Sequence, residues 1–144
     1  MQWKITKENV KNFPIQYVLD RDDGEGDFEL GNNEETMKLF ERYDYLVINS
    51  SCNLYGYKGN TSFDLLIDNG KDGELSDEDM KALTKKCYLM CPDCGSPHIV
   101  KDGPILVRNG GNPKYRQTYK CNQCGRKFTS EWYIDKVQNA RLQH

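Results

Sequence analysis

Nowhere in the chain do eighteen apolar residues run together, so no membrane-spanning helix is expected and no membrane partner. The opening residues, Met1 to Lys7, lack the apolar run of a secretory signal, and an intracellular, cytoplasmic protein is the expectation. No glycine-rich phosphate loop is present, and no nucleophile, base and orienting group stand together in a recognisable spacing. An enzyme is therefore not expected, nor a small-molecule substrate. Core-forming material is also modest: 37% of the 144 residues are hydrophobic and 29% charged. Such a chain suits one ordinary domain, or a small domain with an appendage held by something other than burial. Repeats and low-complexity tracts are absent, and the Asp/Gly-rich stretches 20–27 and 68–79 are short enough to be loops.

Six cysteines are present, four of them in two Cys-x2-Cys pairs. In a reducing compartment that pattern points to metal or redox chemistry and away from disulfides. Charge is unevenly spread. Residues 1–86 carry 11 Lys/Arg against 18 Asp/Glu, a balance of −7, whereas residues 87–144 carry 9 against 4, a balance of +5. An acidic part joined to a basic one suggests two modules with different partners, or two that attract each other.

The acidic part reads as a small α+β domain over residues 1–75. Ile15 to Asp20 is β-prone, Arg21 to Gly26 has turn chemistry, and Phe28 to Leu30 suits a returning strand. Asn33 is placed to cap a helix from Glu34 to about Tyr43, with Met37 and Phe40 on one face and Glu34 four residues before Lys38. Tyr45 to Ile48 is an apolar strand, Asn49 to Asn60 a loop or second short strand, and Ser62 to Ile67 a further strand. Ser76 and Asp79 open a connecting helix over 76–90, with Met80, Leu83, Cys87 and Met90 on one face.

Beyond that helix the sequence reads Cys91-Pro-Asp-Cys94-Gly-Ser, then Cys121-Asn-Gln-Cys124-Gly-Arg. Each Cys-x2-Cys turn supplies two sulfurs from one bend, and two turns complete the tetrahedral shell that zinc prefers. Cys91, Cys94, Cys121 and Cys124 are the expected ligands of one structural zinc ion in a zinc ribbon, a three-stranded antiparallel module over 91–130. With all four positions filled by protein, no place is left for water, which argues against metal-assisted hydrolysis or deamination. His98 is near but not needed. Gly95 and Gly125 follow the second cysteine of each pair, where positive φ and close approach of backbone to sulfur are expected. Thioredoxin-like redox motifs are the alternative, but they call for a βαβ context that this segment lacks. Cys87 reads as a core thiol and Cys52 as an incidental one in a polar turn.

The segment from Cys91 to Gly103, together with Tyr115 to Thr129, resembles the zinc ribbon of insertion-sequence transposases and related DNA-associated proteins. The likeness covers about residues 91–130 and implies association with DNA. Only a short stretch follows Thr129, so a transposase catalytic domain is not expected there. Ribbons of transcription elongation factors are similar in spacing but carry an acidic pair at the hairpin tip. Here the tip is Arg108-Asn-Gly-Gly-Asn-Pro-Lys114, without acids, so metal-assisted RNA cleavage is not implied.

A strand from Lys114 to Lys120 places Lys114, Arg116, Thr118 and Lys120 on one face, and Tyr115, Gln117 and Tyr119 on the other. With Lys101, Arg108, Arg126 and Lys127 these form a cationic surface suited to a phosphate backbone. The expected partner is DNA or RNA, or a nucleic-acid-processing complex on which an accessory or regulatory protein docks. The plainer reading of the same cations is solubility. Ser130 is placed to cap a short terminal helix over 131–144, with Tyr133, Ile134, Val137 and Ala140 on its apolar stripe. A second functional reading starts from the −7 balance of residues 1–86: an interaction or inhibitor protein acting through its acidic domain, even as a DNA mimic, with zinc purely structural.

Asp68 to Asp79 partly resembles a calcium-binding EF-hand loop, with Asp68, Asp72 and Asp79 in ligand positions and Gly73 at the turn. Gly70 removes one ligand and Asp79 is shorter than the usual bidentate glutamate. A solvated turn leading to the Ser76 cap, with acids complementing the helix dipole, is the preferred reading.

Overall fold

The computed structural model describes residues 1–13, 17–19 (backbone course alone), 28–59, 62–68, 74–108 and 110–134. The elements run β1 (Gln2–Ile5), α1 (Lys7–Val10), β2 (Tyr17–Leu19), β3 (Phe28–Leu30), α2 (Glu34–Arg42), β4 (Tyr45–Asn49), β5 (Leu54–Lys58), β6 (Ser62–Ile67), α3 (Asp77–Lys86), β7 (Tyr88–Leu89), β8 (Ile99–Arg108), β9 (Lys114–Cys121) and β10 (Lys127–Thr129). The fold is mixed α+β, mostly strand. Contacts divide the chain into two compact units, one spanning Gln2–Leu89 and the other beginning at Met90.

In the first unit five antiparallel strands form a sheet in the order β6-β5-β4-β1-β7. Directly opposed residues share a face. Trp3 opposes Ile48 and Leu89, Ile5 opposes Leu46, and Ile48 opposes Leu54; all six are buried and form the core face. Fully burying such side chains contributes about 1.5–3 kcal/mol each. Trp3 also donates its indole N–H to Thr84 Oγ1 on α3 at 3.0 Å, while Met80 and Leu83 of that helix are buried. Tyr43 lies against β5 at Gly56, where a Cβ would come within 2.6 Å of the ring. Its hydroxyl reaches across to donate to Asp64 Oδ2 on β6 at 2.8 Å. The β2–β3 pair forms a separate antiparallel ribbon.

The sequence expectation of a helix with an Asn33 cap is met by α2: Asn33 accepts the Thr36 N–H at 2.8 Å, and Lys38 lies 3.6 Å from Glu34. The turn 21–26 between β2 and β3 lies outside the described residues. Two expectations need correction. The helix opened by Ser76 does not run through Met90; α3 stops at Lys86, where Cys87 turns extended and caps Leu83 O through its N–H at 2.7 Å. Tyr88 and Leu89 then pair with Lys4 and Trp3, so sheet pairing overrides a periodicity that would have allowed another turn. Helix α3 is thus part of the Gln2–Leu89 unit and not a connector. The start of the chain, read from sequence without structure, contributes β1 at the centre of the core.

In the second unit β8, β9 and β10 form a three-stranded antiparallel sheet with β9 central. The expected terminal helix is not seen over its first four residues. Ser130 caps nothing helical; its Oγ accepts the Gln117 N–H at 3.0 Å and donates to Trp132 O at 2.7 Å. Ile134 donates its N–H to Tyr115 O at 2.9 Å, so this stretch continues alongside β9. Residues 135–144, with Val137 and Ala140, lie outside the described residues.

Candidate metal centre

Each Cys-x2-Cys segment folds into a tight turn through the same backbone bonds. Gly95 N donates to Cys91 O at 3.0 Å and Cys91 N to Ser96 O at 2.9 Å. In the second turn Gly125 N donates to Cys121 O and Cys121 N to Arg126 O, both at 2.9 Å. The glycines take φ of +72° and +81°. A Cβ would meet nothing within 4 Å at Gly125, and at Gly95 only Met90 Cε at 3.9 Å. The need for glycine here is therefore left-handed backbone alone, and the expected close approach to sulfur is not what excludes a side chain.

The turns bring four sulfurs together. Cys91 Sγ lies 3.6 Å from Cys124 Sγ, and Cys94 Sγ 3.6 Å from Cys121 Sγ, with all four ligand atoms within 4.8 Å of one another. Disulfide sulfurs would stand about 2.05 Å apart. A tetrahedron of thiolates at about 2.3 Å from a central ion has edges of about 3.8 Å, so the cluster is the right size to hold one metal ion. Cys91 and Cys121 are buried and Cys94 and Cys124 exposed. His98 is exposed and outside the cluster; its carbonyl accepts the Asn122 N–H at 2.9 Å, tying the second turn to the start of β8.

The electrostatics favour the anion at Cys121 and oppose it at Cys94 and Cys124. Asp93 N–H points at Cys91 Sγ at 3.4 Å. Burial works against the Cys121 thiolate, but N–H groups of Cys124 and Gln123 aimed at its sulfur hold the thiol down to about 6. At Cys94 the Ser96 N–H favours the thiolate, yet desolvation and the neighbouring sulfurs push the thiol up to about 12. Four crowded sulfurs cannot all ionise without a cation between them. A metal ion would supply that charge.

Five of the seven expected cations share one face of the sheet. Arg108 opposes Lys114, Lys120 opposes Lys127, and Arg116 sits between. Tyr133, exposed, lies beside them, with Arg116 Cζ 5.1 Å and Lys114 Nζ 5.8 Å from its ring centroid. Arg126 is outside the strands and pairs with Asp93 at 3.0 Å; Lys127 pairs with Asp102 at 3.2 Å. Lys101 opposes Tyr119 and so falls on the opposite face. That face is the buried one, where Gln117 donates to Gly103 O and Thr118 O at 3.1 and 2.9 Å and Tyr119 stacks on Phe128 at 5.7 Å.

Of the calcium expectation, Asp79 stands in the first turn of α3, where its N–H donates to Ser76 Oγ at 3.1 Å. Asp72 lies outside the described residues, and Asp68 and Asp79 do not join a metal-sized cluster among the described residues. Cys87 is buried, as expected of a core thiol. Cys52 is buried too, at φ +63° in the turn between β4 and β5. No family model, curated protein or solved structure matches the chain.

Proposed function

We propose that Cys91, Cys94, Cys121 and Cys124 hold one structural zinc ion, that the unit beginning at Met90 is a zinc ribbon, and that its cationic face binds the phosphate backbone of DNA or RNA. Tetrahedral four-sulfur sites suit zinc or iron, and a closed shell without redox partners favours zinc. The observation that carries the nucleic-acid reading is the cross-strand register. Arg108 opposite Lys114 and Lys120 opposite Lys127 are like-charge pairs disfavoured in the free protein, although Asp102 already offsets part of the second by pairing with Lys127 at 3.2 Å. An anionic partner relieves both. Tyr133, flanked by Arg116 and Lys114, adds a ring on which a base can stack.

The test is binding of the full chain to duplex and single-stranded oligonucleotides over a salt series. The expected result is affinity that falls steeply with salt, and a shallower salt slope in Arg116→Glu/Lys120→Glu, which keeps its zinc. Absence of binding at low salt would remove the nucleic-acid reading while leaving the metal site intact.

A further inference from the structure

On the face of the five-stranded sheet opposite Trp3, aromatic rings stand in a column across three strands. Tyr45 and Tyr57 stack with centroids 4.9 Å apart, and Tyr57 and Phe63 follow at 5.1 Å. A cation closes one end: Lys4 Nζ is 4.4 Å from the Tyr45 centroid. Among the described residues the other end is open. Phe63 lies on β6, the edge strand, and is 54% exposed, with Leu65 beside it on the same face 49% exposed. Edge strands are usually guarded by lysine or proline, and Ser62–Ile67 has neither. Its single charge, Asp64, stands on the opposite face, where it accepts the Tyr43 hydroxyl.

We propose that the outer edge of β6 receives an extended segment of a partner protein as an added strand, carrying a basic residue opposite Asp64 and apolar or aromatic residues opposite Phe63 and Leu65. Side-chain alternation dictates that pattern, because the residue opposite Asp64 shares its face and the two flanking it share that of Phe63 and Leu65. A ring or cation set against Phe63 continues the column as Lys4 ends it on the far side. Charge selects among occupants. With 18 acidic against 11 basic residues in 1–86, a basic segment is attracted, whereas a nucleic-acid strand or a second acidic copy is repelled. A second copy paired about Asp64 would also oppose two carboxylates. This docking edge is independent of the nucleic-acid reading of the cysteine-bearing unit.

The experiment uses the full chain and a fluorescein-labelled peptide of alternating valine and lysine with one central phenylalanine, followed by anisotropy at low salt. Saturable binding is expected, with added hydrogen-exchange protection confined to β6. Phe63→Thr and Asp64→Asn each weaken it by up to about fivefold, the range of a lost cross-strand pair. Asparagine still accepts the Tyr43 hydroxyl, and an unchanged melting temperature confirms that the fold survives. A peptide with glutamate in place of lysine does not bind. No saturable binding, or binding indifferent to both substitutions, overturns the proposal. So does oligothymidylate binding or concentration-dependent dimerisation that Phe63→Thr abolishes, since either gives the edge a different occupant.

Discussion

At Gly125 the backbone sits at φ +81° with open space where a side chain would begin. Alanine there meets no neighbour, yet it must hold a left-handed conformation at a cost of about 1–2 kcal/mol. Gly125→Ala should therefore lower the thermal midpoint of the metal-bound protein, and Gly125→Asn, which tolerates that region, should recover most of the loss. Cys87 offers a second test at this scale. Burial pushes its thiol up to about 12, so at pH 8 the thiolate is about one part in ten thousand and iodoacetamide should not label it until the chain is unfolded. Because the folded value is raised above the ordinary thiol value of 9.0, the Cys87 contribution to stability is present below pH 9 and lost as pH rises from there towards about 12. The four metal-site cysteines were legible because each pair is local, with two residues between its members and glycine after it. The pairing of Arg126 with Asp93 was not, since the partners are 33 residues apart and meet only when both turns fold.

Among the elements, β5 and the end of β10 carry the most specific demands. A Cβ at Gly56 would lie 2.6 to 2.8 Å from the Tyr43 ring, and that ring is pinned by its bond to Asp64. Gly56→Ala should destabilise the first unit by about 1–3 kcal/mol, measured by urea unfolding. Replacing Tyr43 by phenylalanine should not relieve the clash, because the ring remains. Ser130→Ala removes the acceptor of the buried Gln117 N–H and should cost about 1–3 kcal/mol in the second unit. A serine before an apolar stripe reads equally as a helix cap or as a stitch between strands, and only the neighbouring strand decides which. The same holds for α3. Met80, Leu83, Cys87 and Met90 recur at helical spacing, but a vacant edge beside β1 takes Tyr88 and Leu89 into the sheet. Helix α2, whose cap and charge pair are local, needed no such context.

Over the whole molecule, the charge asymmetry read from sequence tracks two units whose stability rests on different physics. Gln2–Leu89 has a face of buried Trp, Ile and Leu, whereas the unit from Met90 buries few large side chains beyond Tyr119 and Trp132 among the described residues. A strong chelator should thus abolish the dispersed amide signals of the cysteine-bearing unit while leaving those of the first unit in place. The aromatic column across β4, β5 and β6 was invisible in sequence, because it depends on Tyr45 pairing with Tyr57 and Tyr57 with Phe63 across three strands, a register no single segment encodes. The most direct test of the central claim is metal analysis with thiol titration. One zinc per chain, released as four thiols react and absent from Cys121→Ser, is the predicted result. A purified chain without zinc, or a Cys121→Ser variant that keeps its fold and its metal, would contradict it.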